Sequence, residues 1–481
     1  MLADYLNKKQ LTKFAVRLLL LAVLILIGWF VLAYVTTGTL TVTAANSTSS
    51  IIVSPQPTQQ QQGSADRTNT TFTKKGTGSL TVRVHSGTYI VYVQNGSSQA
   101  GQTVKVGWLA HVHISLGTTS QAATEPVLYE NVQSVAADSS HMIFLNNSSN
   151  QLENINSQNQ DSILSGGQNF TSVAWANSTY GVAQDSSGNL YVFDGSSLSP
   201  LKTPLVGVSN LSGTTFAVAP DKTIYIGYGS YVYRGTDKGD FSTIYRNFAS
   251  GDSLVAANDK VMVITPNSAK SSGGTGTVIN TNGRVVNKSF GYALGGWSPW
   301  SPNGNYIVIT VGAVTELFDA SLKQVGTVPE LNGMNGGAWL DDNTLYYASA
   351  GQLCAYDVSK SLLSLAATMP DNDQIQAISV SADGSYVYAT ASSSTDTTPS
   401  AVFRIGLRGQ SVSSGLSTLA DVLPINGSTY SIGIRNFSGK PTIDVTAFPG
   451  TDPNDALQAA QDAVQGIVNL SDVNFDVQSG D

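Results

Sequence analysis

Cysteine is almost missing from this 481-residue chain. Cys354 stands alone, so no intramolecular disulfide can form and the folded parts must be stabilised by ordinary cores. It lies in Gln352-Leu353-Cys354-Ala355-Tyr356, a strand-like run that predicts a buried, inert thiol rather than a nucleophile. Histidine is scarce as well: His85, His111, His113 and His141 are the full set. Only five glutamates occur, and charged residues make up 12% of the chain, with a formal net charge of −8. No Gly-x-Ser-x-Gly, His-Glu-x-x-His, Walker-type or dinucleotide-binding run is present, which removes the best-marked hydrolase, zinc-protease and nucleotide-dependent classes. No residue is therefore nominated as catalytic, cofactor-binding or metal-ligating.

Long hydrophobic runs are limited to one. Leu18–Val35 reads LLLLAVLILIGWFVLAYV, without charge or proline. At a helical rise of about 1.5 Å per residue it reaches roughly 27 Å, close to a hydrocarbon core of about 30 Å. Lys8, Lys9, Lys13 and Arg17 precede it and the next charge is Asp66, which orients residues 1–17 toward the cytoplasm. Trp29 and Tyr34 fall toward the outer half. The competing reading is a cleaved signal peptide, with small residues at Val42-Thr43-Ala44. Secretory apolar cores run to only about 7–15 residues, and cleavage there would remove the strand-like Gly38–Val42. The expectation is a retained signal anchor over 18–36, N-terminus cytoplasmic, bulk extracytoplasmic. With Asp4 the tail carries +3, which leaves about −11 outside and argues against nucleic acid or anionic lipid as the main partner. Twelve Asn-x-Ser/Thr sequons, Asn46, Asn95, Asn169 and Asn436 among them, permit glycosylation without requiring it.

The remaining chain reads as mainly β. Over residues 37–118, Leu80, Val82 and Val84 alternate with Thr81, Arg83 and His85, and Val104 to Leu116 forms a long period-2 stripe that includes Trp108. Ser86-Gly87 and Asn95-Gly96 supply turns, and Ser50–Ser54 a further strand. The text Ser86-Gly87-Thr88-Tyr89-Ile90-Val91-Tyr92-Val93, followed by Gly101-Gln102-Thr103-Val104-Lys105-Val106 and closing on Leu116, resembles the PEGA-type domain, a small extracytoplasmic β-sandwich found beside bacterial membrane anchors. The tetrapeptide that names the family is missing, and Pro55–Lys75, with a Gln59–Gln62 tract, stands in its place. The resemblance implies a spacer or adhesion module without catalysis. His111 and His113 share a strand face with Lys105, opposite the apolar stripe, and read as solvated histidines rather than metal ligands.

From Gln133 to Arg408 a three- or four-strand unit recurs. Its anchor positions Val135, Trp175, Leu211, Ala256, Trp300, Trp339 and Val380 are spaced by 40, 36, 45, 44, 39 and 41 residues. That period predicts a seven-bladed β-propeller over 119–420, because one blade cannot bury its own faces and a closed ring can. The Trp300-Ser301-Pro302-Asn303-Gly304 turn resembles the signature of TolB-like and related WD-repeat-like bacterial propellers, which implies fold and not function. The anchor tryptophans are expected to pack between blades. Asp221, Asp341, Asp342 and Asp383 sit where turns favour aspartate on backbone grounds. Polar inserts at Pro266–Thr275 and Ser392–Ser400 occupy equivalent hairpins on one face of the ring; they read first as solvated low-complexity loops, and in the sharper reading that face is the recognition surface. Ring closure is expected from Val127–Glu130 pairing with Ala401–Leu407, the rival being Ser411–Ser414 closing the blade from the C-terminal side.

The last segment, 421–481, reads as a separate ββαβ unit. Thr429–Arg435 and Pro441–Phe448 flank an Asn436–Gly439 turn. Asp452-Pro453 starts a helix whose apolar spacing runs to Leu470, and Val473–Val477 forms a final strand. The expected function is a membrane-anchored binding or scaffold protein of the bacterial cell envelope, its propeller face meeting an envelope protein or glycan. The alternative is a carbohydrate-active enzyme using propeller carboxylates, with Glu316 the sole glutamate in a confident strand.

Overall fold

The computed structural model describes the chain apart from residues 1–13, 26–27, 29–35, 57–72, 118–121, 204–212, 267–272, 292–293, 295–298, 312–313, 329–335, 371–372, 393–400, 408–409, 411–413 and positions 97, 130, 139, 165, 196, 350, 421, 424 and 481. Most of both polar inserts, the Leu211 anchor and much of the apolar run fall outside the described residues. Residues 14–25 and Gly28 are helical, and among the described residues no helix is long and apolar enough to cross a membrane. The chain divides into two compact units, residues 1–56 with 68–118, and residues 57–67 with 119–481.

In the first unit seven strands follow in sequence: β1 (Thr37–Ala44), β2 (Ser50–Pro55), β3 (Lys74–Thr77), β4 (Ser79–His85), β5 (Gly87–Asn95), β6 (Ser98–Val106) and β7 (His111–Leu116). They are ordered β6-β5-β2-β3-β4-β1-β7, with β1 antiparallel to β4 and parallel to β7. Alternation decides which side chains turn inward: Leu40, Val42, Ile51, Val53, Val84, Val91, Val93 and Val106 are all buried. The expected stripe from Val104 to Leu116 is broken by a turn at Gly107–Ala110, closed by the Ala110 amide donating to the Gly107 carbonyl. Trp108 is consequently 67% exposed instead of lining the core. His111 and His113 pair with Thr39 and Thr41 on one side of β1, while His85 pairs with Thr37 on the other. All three are exposed.

In the second unit one antiparallel sheet forms for each repeat, and the unit is a β-propeller. The sheets cover residues 132–163, 170–200, 215–245, 253–289, 294–327, 336–368 and 374–406. In the fifth sheet the first strand position is marked by bridges Leu294↔Val311 and Trp300↔Ile307. First strands of successive sheets touch: Val132–Ala137 meets Phe170–Asn177, which meets Thr215–Val218, then Ser253–Ala257; Gly336–Trp339 meets Gln374–Val380, which returns to Val132–Ala137. The fifth sheet joins the circuit through tryptophans. Trp300 Nε1 donates to the Val255 carbonyl at 3.2 Å, and Trp339 Nε1 to the Pro299 carbonyl at 3.1 Å. Trp175 of the second sheet likewise reaches back to the first, donating to Ser134 Oγ at 2.8 Å. The anchor tryptophans thus act between blades, as their spacing suggested.

Closure uses a strand from the N-terminal side. β8 (Thr124–Leu128) pairs antiparallel with Ala401–Gly406, with Val402 opposite Leu128 and Arg404 opposite Glu125. The strand comes from the expected side but overlaps the expected Val127–Glu130 only at Val127 and Leu128: Thr124–Pro126 supply most of the pairing, the Tyr129 amide donates instead to the Ile434 carbonyl at 3.3 Å, and residue 130 lies outside the described residues. Arg404 Nε donates to Glu125 Oε1 at 2.8 Å and its Nη2 reaches the same oxygen, while Nη1 donates to the Phe437 carbonyl at 2.7 Å. Glu125 is 2% exposed, so the pair is well removed from water.

The C-terminal segment is joined to the seventh sheet rather than standing apart. Tyr430–Arg435 forms a hairpin with Thr442–Ala447, and Arg435 bridges Leu128 of β8. The Asn436 amide also donates to the Val127 carbonyl at 2.7 Å. Helix α1 (Ser414–Ala420) places Leu416 and Leu419 in the core beneath this hairpin. Helix α2 (Pro453–Val464) is capped by Asp452, whose side chain accepts from the Asn454 amide, and it buries Ala456, Ala460 and Val464. It stops at Val464, short of the expected Leu470, because Gly466 turns the chain with φ +92°. The crossover then delivers Asn474–Ser479 parallel to Thr442–Ala447, as a β-α-β connection requires.

The closing ion pair yields a test. Arg404→Ala should cost about 3–5 kcal/mol in urea unfolding by stranding the buried Glu125 carboxylate, whereas the double change Arg404→Met with Glu125→Leu should recover most of that loss.

Candidate functional site

Aspartates placed in turns prove to serve the backbone. Asp341 Oδ1 accepts from the Asn343 and Thr344 amides at 2.9 and 2.8 Å, Asp383 Oδ1 from Ser381 Oγ and the Ser385 amide, and Asp221 Oδ1 from the Thr223 amide. In the Ser-Pro-Asn-Gly and Ser-Ala-Asp-Gly turns, Gly304 and Gly384 sit at φ +66° and +68°, conformations that penalise a Cβ. Asp342 reaches across blades, accepting from Asn303 Nδ2 at 3.1 Å and Asn305 Nδ2 at 2.7 Å. Despite partial burial, these bonds hold its carboxyl below the usual carboxylate range.

His141, the one propeller histidine, lies between the first two blades in a constellation of serine, histidine and aspartate. Asp138 Oδ2 accepts from Ser178 Oγ at 2.7 Å, and Asp138 Oδ1 from Ser140 Oγ at 2.7 Å. His141 Nδ1 lies 2.9 Å from Ser140 Oγ, and Nε2 lies 2.9 Å from the Ser178 carbonyl oxygen. A nitrogen facing a carbonyl must carry a proton, so Nε2 donates there and is not available to take a proton from a nucleophile. The serine hydroxyl at Ser178 is aimed at Asp138 and not at the ring. The constellation is therefore an inter-blade tie and not a hydrolytic triad. Desolvation works against the Asp138 charge, but bonds from Ser140, Ser178 and the His141 amide win and bring its pKa to about 2.

Glu316 does not face the ring axis by position. It lies in Val314–Asp319, the third strand of the fifth blade, and is 5% exposed. The axis is ringed by the first strands; six read VQSVAA, FTSVAWAN, TFAV, SLVAA, GGAW and QIQAISV, and the fifth blade contributes Leu294, Pro299 and Trp300 as its described residues. Among these described residues there is no Asp, Glu, His, Lys or Arg. Cys354 is 1% exposed, and burial pushes its thiol up to about 12, as an inert core residue requires.

An open cleft lies where the C-terminal hairpin meets the first blade. It has a volume of about 330 Å³ and is lined by Tyr129, Asp161, Asn426, Ser431–Gly433, Arg435, Asp444 and Gln478. Two devices build it. Asn159, in the turn before Asp161, adopts φ +58° and inserts into the hairpin loop. Its Oδ1 accepts from the Phe437 and Ser438 amides at 2.8 and 3.0 Å, and its Nδ2 donates to the Lys440 carbonyl at 2.9 Å and to Ser438 O. Arg435 then donates Nη1 to the Asn159 carbonyl at 3.1 Å, and Nη2 to Asp444 and Asp476 at 2.6 Å each. Burial opposes the Arg435 charge, yet its carboxylate partners raise its pKa. Desolvation raises Asp444 despite Arg435, and it raises Asp161, an exposed residue whose carboxylate lines the cleft. The cleft offers hydrogen-bond donors and acceptors, with Arg435 tied down by its own ion pairs. No sequence signal marked it, since its parts come from residues 129, 159–161 and 426–478 with no shared motif. A positive-φ asparagine is visible only in a structure.

No family profile matches the chain, and no curated protein does. Among solved structures it is similar to virginiamycin B lyase from Staphylococcus aureus, 10% identical over 60% of this chain and 99% of that one, TM-score 0.44. It is similar to the RRP9 WD40 repeats, 10% identical over 60% and 98%, TM-score 0.44. YCF48 bound to D1 peptide gives 13% over 60% and 98%, TM-score 0.44. At that level the likenesses carry no statement about activity, and the propeller stands on its own sheets.

Two measurements test the ties. Asn159→Ala leaves the buried Phe437 amide and the half-buried Ser438 amide without their partner and should lower stability by about 2–4 kcal/mol, with hydrogen exchange rising first at Phe437 and Ser438. Asp138 has its pKa depressed on folding, so its contribution is present above the unfolded value of ~3.9 and is lost as pH falls through about 2. The stability gap between the wild type and Asp138→Asn should therefore shrink by about 2 kcal/mol between about pH 5 and about pH 2 in urea titrations.

Proposed function

We propose that this chain is a membrane-anchored, extracytoplasmic binding or scaffold protein of the bacterial cell envelope, with the propeller as its recognition surface. The observation that carries the reading is the ring of first strands. A glycosidase working at the propeller axis needs two carboxyl groups about 5–9.5 Å apart. Ser, Thr, Gln, Gly and small apolar residues on those strands can hydrogen-bond a glycan or peptide but cannot act as acid and base. The Asp138–His141–Ser178 group has its polar atoms committed within the fold, which gives hydrolysis no other foothold there. The anchor rests on Leu18–Val35 and the four basic residues before it. In this reading the first unit, with its PEGA-like text, is a spacer and the polar inserts contribute to recognition. An envelope protein or glycan is the ligand class, and no nucleic acid is involved.

The full chain in detergent, applied to arrays of envelope glycans and peptides, should bind without releasing reducing ends. Turnover of any glycan would overturn the non-enzymatic reading. The chain in membranes should also resist alkaline carbonate, and lose that resistance when residues 1–36 are deleted.

A further inference from the structure

The broken stripe in the first unit leaves an apolar turn in water. Trp108 is 67% exposed and Leu109 is 51% exposed, adjacent residues at the tip between β6 and β7. Leu109 holds a left-handed φ of +53°, a conformation that branched-chain and bulky L residues rarely adopt. The turn is fixed in place: Trp108 Nε1 donates to Ser86 Oγ at 2.6 Å, and the Leu109 amide donates to the Thr37 carbonyl at 2.9 Å. The Ser86 amide donates to the Thr36 carbonyl at 2.9 Å. Both tips are thereby hydrogen-bonded to the residues that immediately follow Val35, the end of the apolar run.

Charge is segregated in the same sense. Residues 37–118 hold five basic residues, Arg67, Lys74, Lys75, Arg83 and Lys105, against one acid, Asp66. Residues 119–481 hold 15 basic residues against 30 acids. Arg83 is near the turn, its Nε donating to Thr37 Oγ1 at 2.8 Å, and His85 and Lys105 lie at the same ends of β4 and β6. A whole-chain negative charge thus conceals a locally basic unit whose exposed Trp-Leu tip adjoins the apolar run.

We propose that the Trp108–Leu109 turn is a second membrane contact, seated in the headgroup layer of the leaflet through which the anchor emerges. This inference rests on the anchor reading. Tryptophan partitions to the bilayer interface, leucine adds apolar area, and the basic side chains around them favour anionic headgroups. The contact would hold the first unit against the bilayer instead of letting it swing on the Thr36–Thr37 junction.

The test uses the full chain in vesicles of phosphatidylcholine, with and without phosphatidylglycerol, carrying lipid-attached spin quenchers at the headgroup or deep in the acyl chain. Cys354 is buried and poorly ionised, so a thiol-reactive fluorophore can be placed singly at Leu109→Cys, at Gln94→Cys on the opposite end of the unit, or at Ala22→Cys within the apolar run. The 109 probe should be quenched several-fold more by the headgroup quencher than the 94 probe, and more strongly with phosphatidylglycerol present. Quenching at 109 no greater than at 94, with deep quenching at 22, would overturn this inference while leaving the anchor standing. Loss of quenching at 22 would overturn the anchor and this contact together. A shielding of the 109 probe that needs no lipid and grows with protein concentration would assign the turn to a second copy, and also overturn the proposal.

Discussion

A ring of sheets is only as stable as its seam, and here the seam is β8 against Ala401–Gly406. Each blade exposes two faces, and a sheet at the end of an open row would leave one of them in water. Pairing residues near 125 with residues near 404 turns that row into a circle, at the entropic cost of closing a loop that spans most of the second unit. Arg404 concentrates the seam in one place, because a single guanidinium meets Glu125 on the incoming strand and the Phe437 carbonyl of the C-terminal hairpin. Such a buried pair adds little over an apolar one but specifies register, since slipping the strand by one residue would put both charges on wrong faces. Once the seam is registered, the tryptophan hooks at Trp175, Trp300 and Trp339 make the first strands of the first, fourth and fifth blades acceptors for the blade that follows each.

The C-terminal segment extends the logic of the seam. Its hairpin shares an edge with β8, and Asn159 of the first blade fills the loop of that hairpin. First blade, last blade and C-terminal sheet are therefore one hydrogen-bonded assembly. An ordinary propeller closes through strand pairing alone. Here the closing strand has partners on both sides, Ala401–Gly406 on one and the Asn436 region on the other, so it does not end in an unpaired edge.

How far the sequence reached depends on whether the cause was periodic. The repeats were legible because Trp300, Trp339 and their polar turns recur at the blade period, and each turn carries its own local chemistry, as the Asp341 and Asp383 bonds show. The closing strand was legible because Val127 and its neighbours stand apolar just before the first repeat. The stripe through Trp108 was misread because period-2 alternation continues across a tight turn whenever the turn has an even number of residues, and only the backbone shows the break. Helix α2 was read too long for a similar reason. Ile467 and Val468 fall at helical spacing, yet they reach the core from the chain beyond Gly466. The cleft was illegible for a different reason: Arg435, Asp444 and Asp161 are brought together by an asparagine whose role needs a left-handed backbone.

The low charge of this chain then acquires a physical meaning. A propeller with 12% charged residues must satisfy its turns with neutral donors and acceptors, and the Asn, Ser and Thr side chains do so throughout. Many of the aspartates that remain are spent on backbone amides, which is why Asp138, Asp342 and Asp383 all lie below the usual carboxylate range. Carboxylates held in that way are poor acid catalysts at neutral pH, because a general acid must be protonated when substrate arrives. Of the groups pushed the other way, Asp161 and Asp444 sit at the C-terminal cleft, Asp444 already bound to Arg435, and Glu153 is buried in the Leu152–Asn156 strand of the first blade, not in a first strand. Among the described residues, ionisable groups and the first strands around the axis are thus separated in space. In the proposed binding role, that separation would leave recognition to shape and neutral hydrogen bonds, with an affinity that varies little with pH or salt.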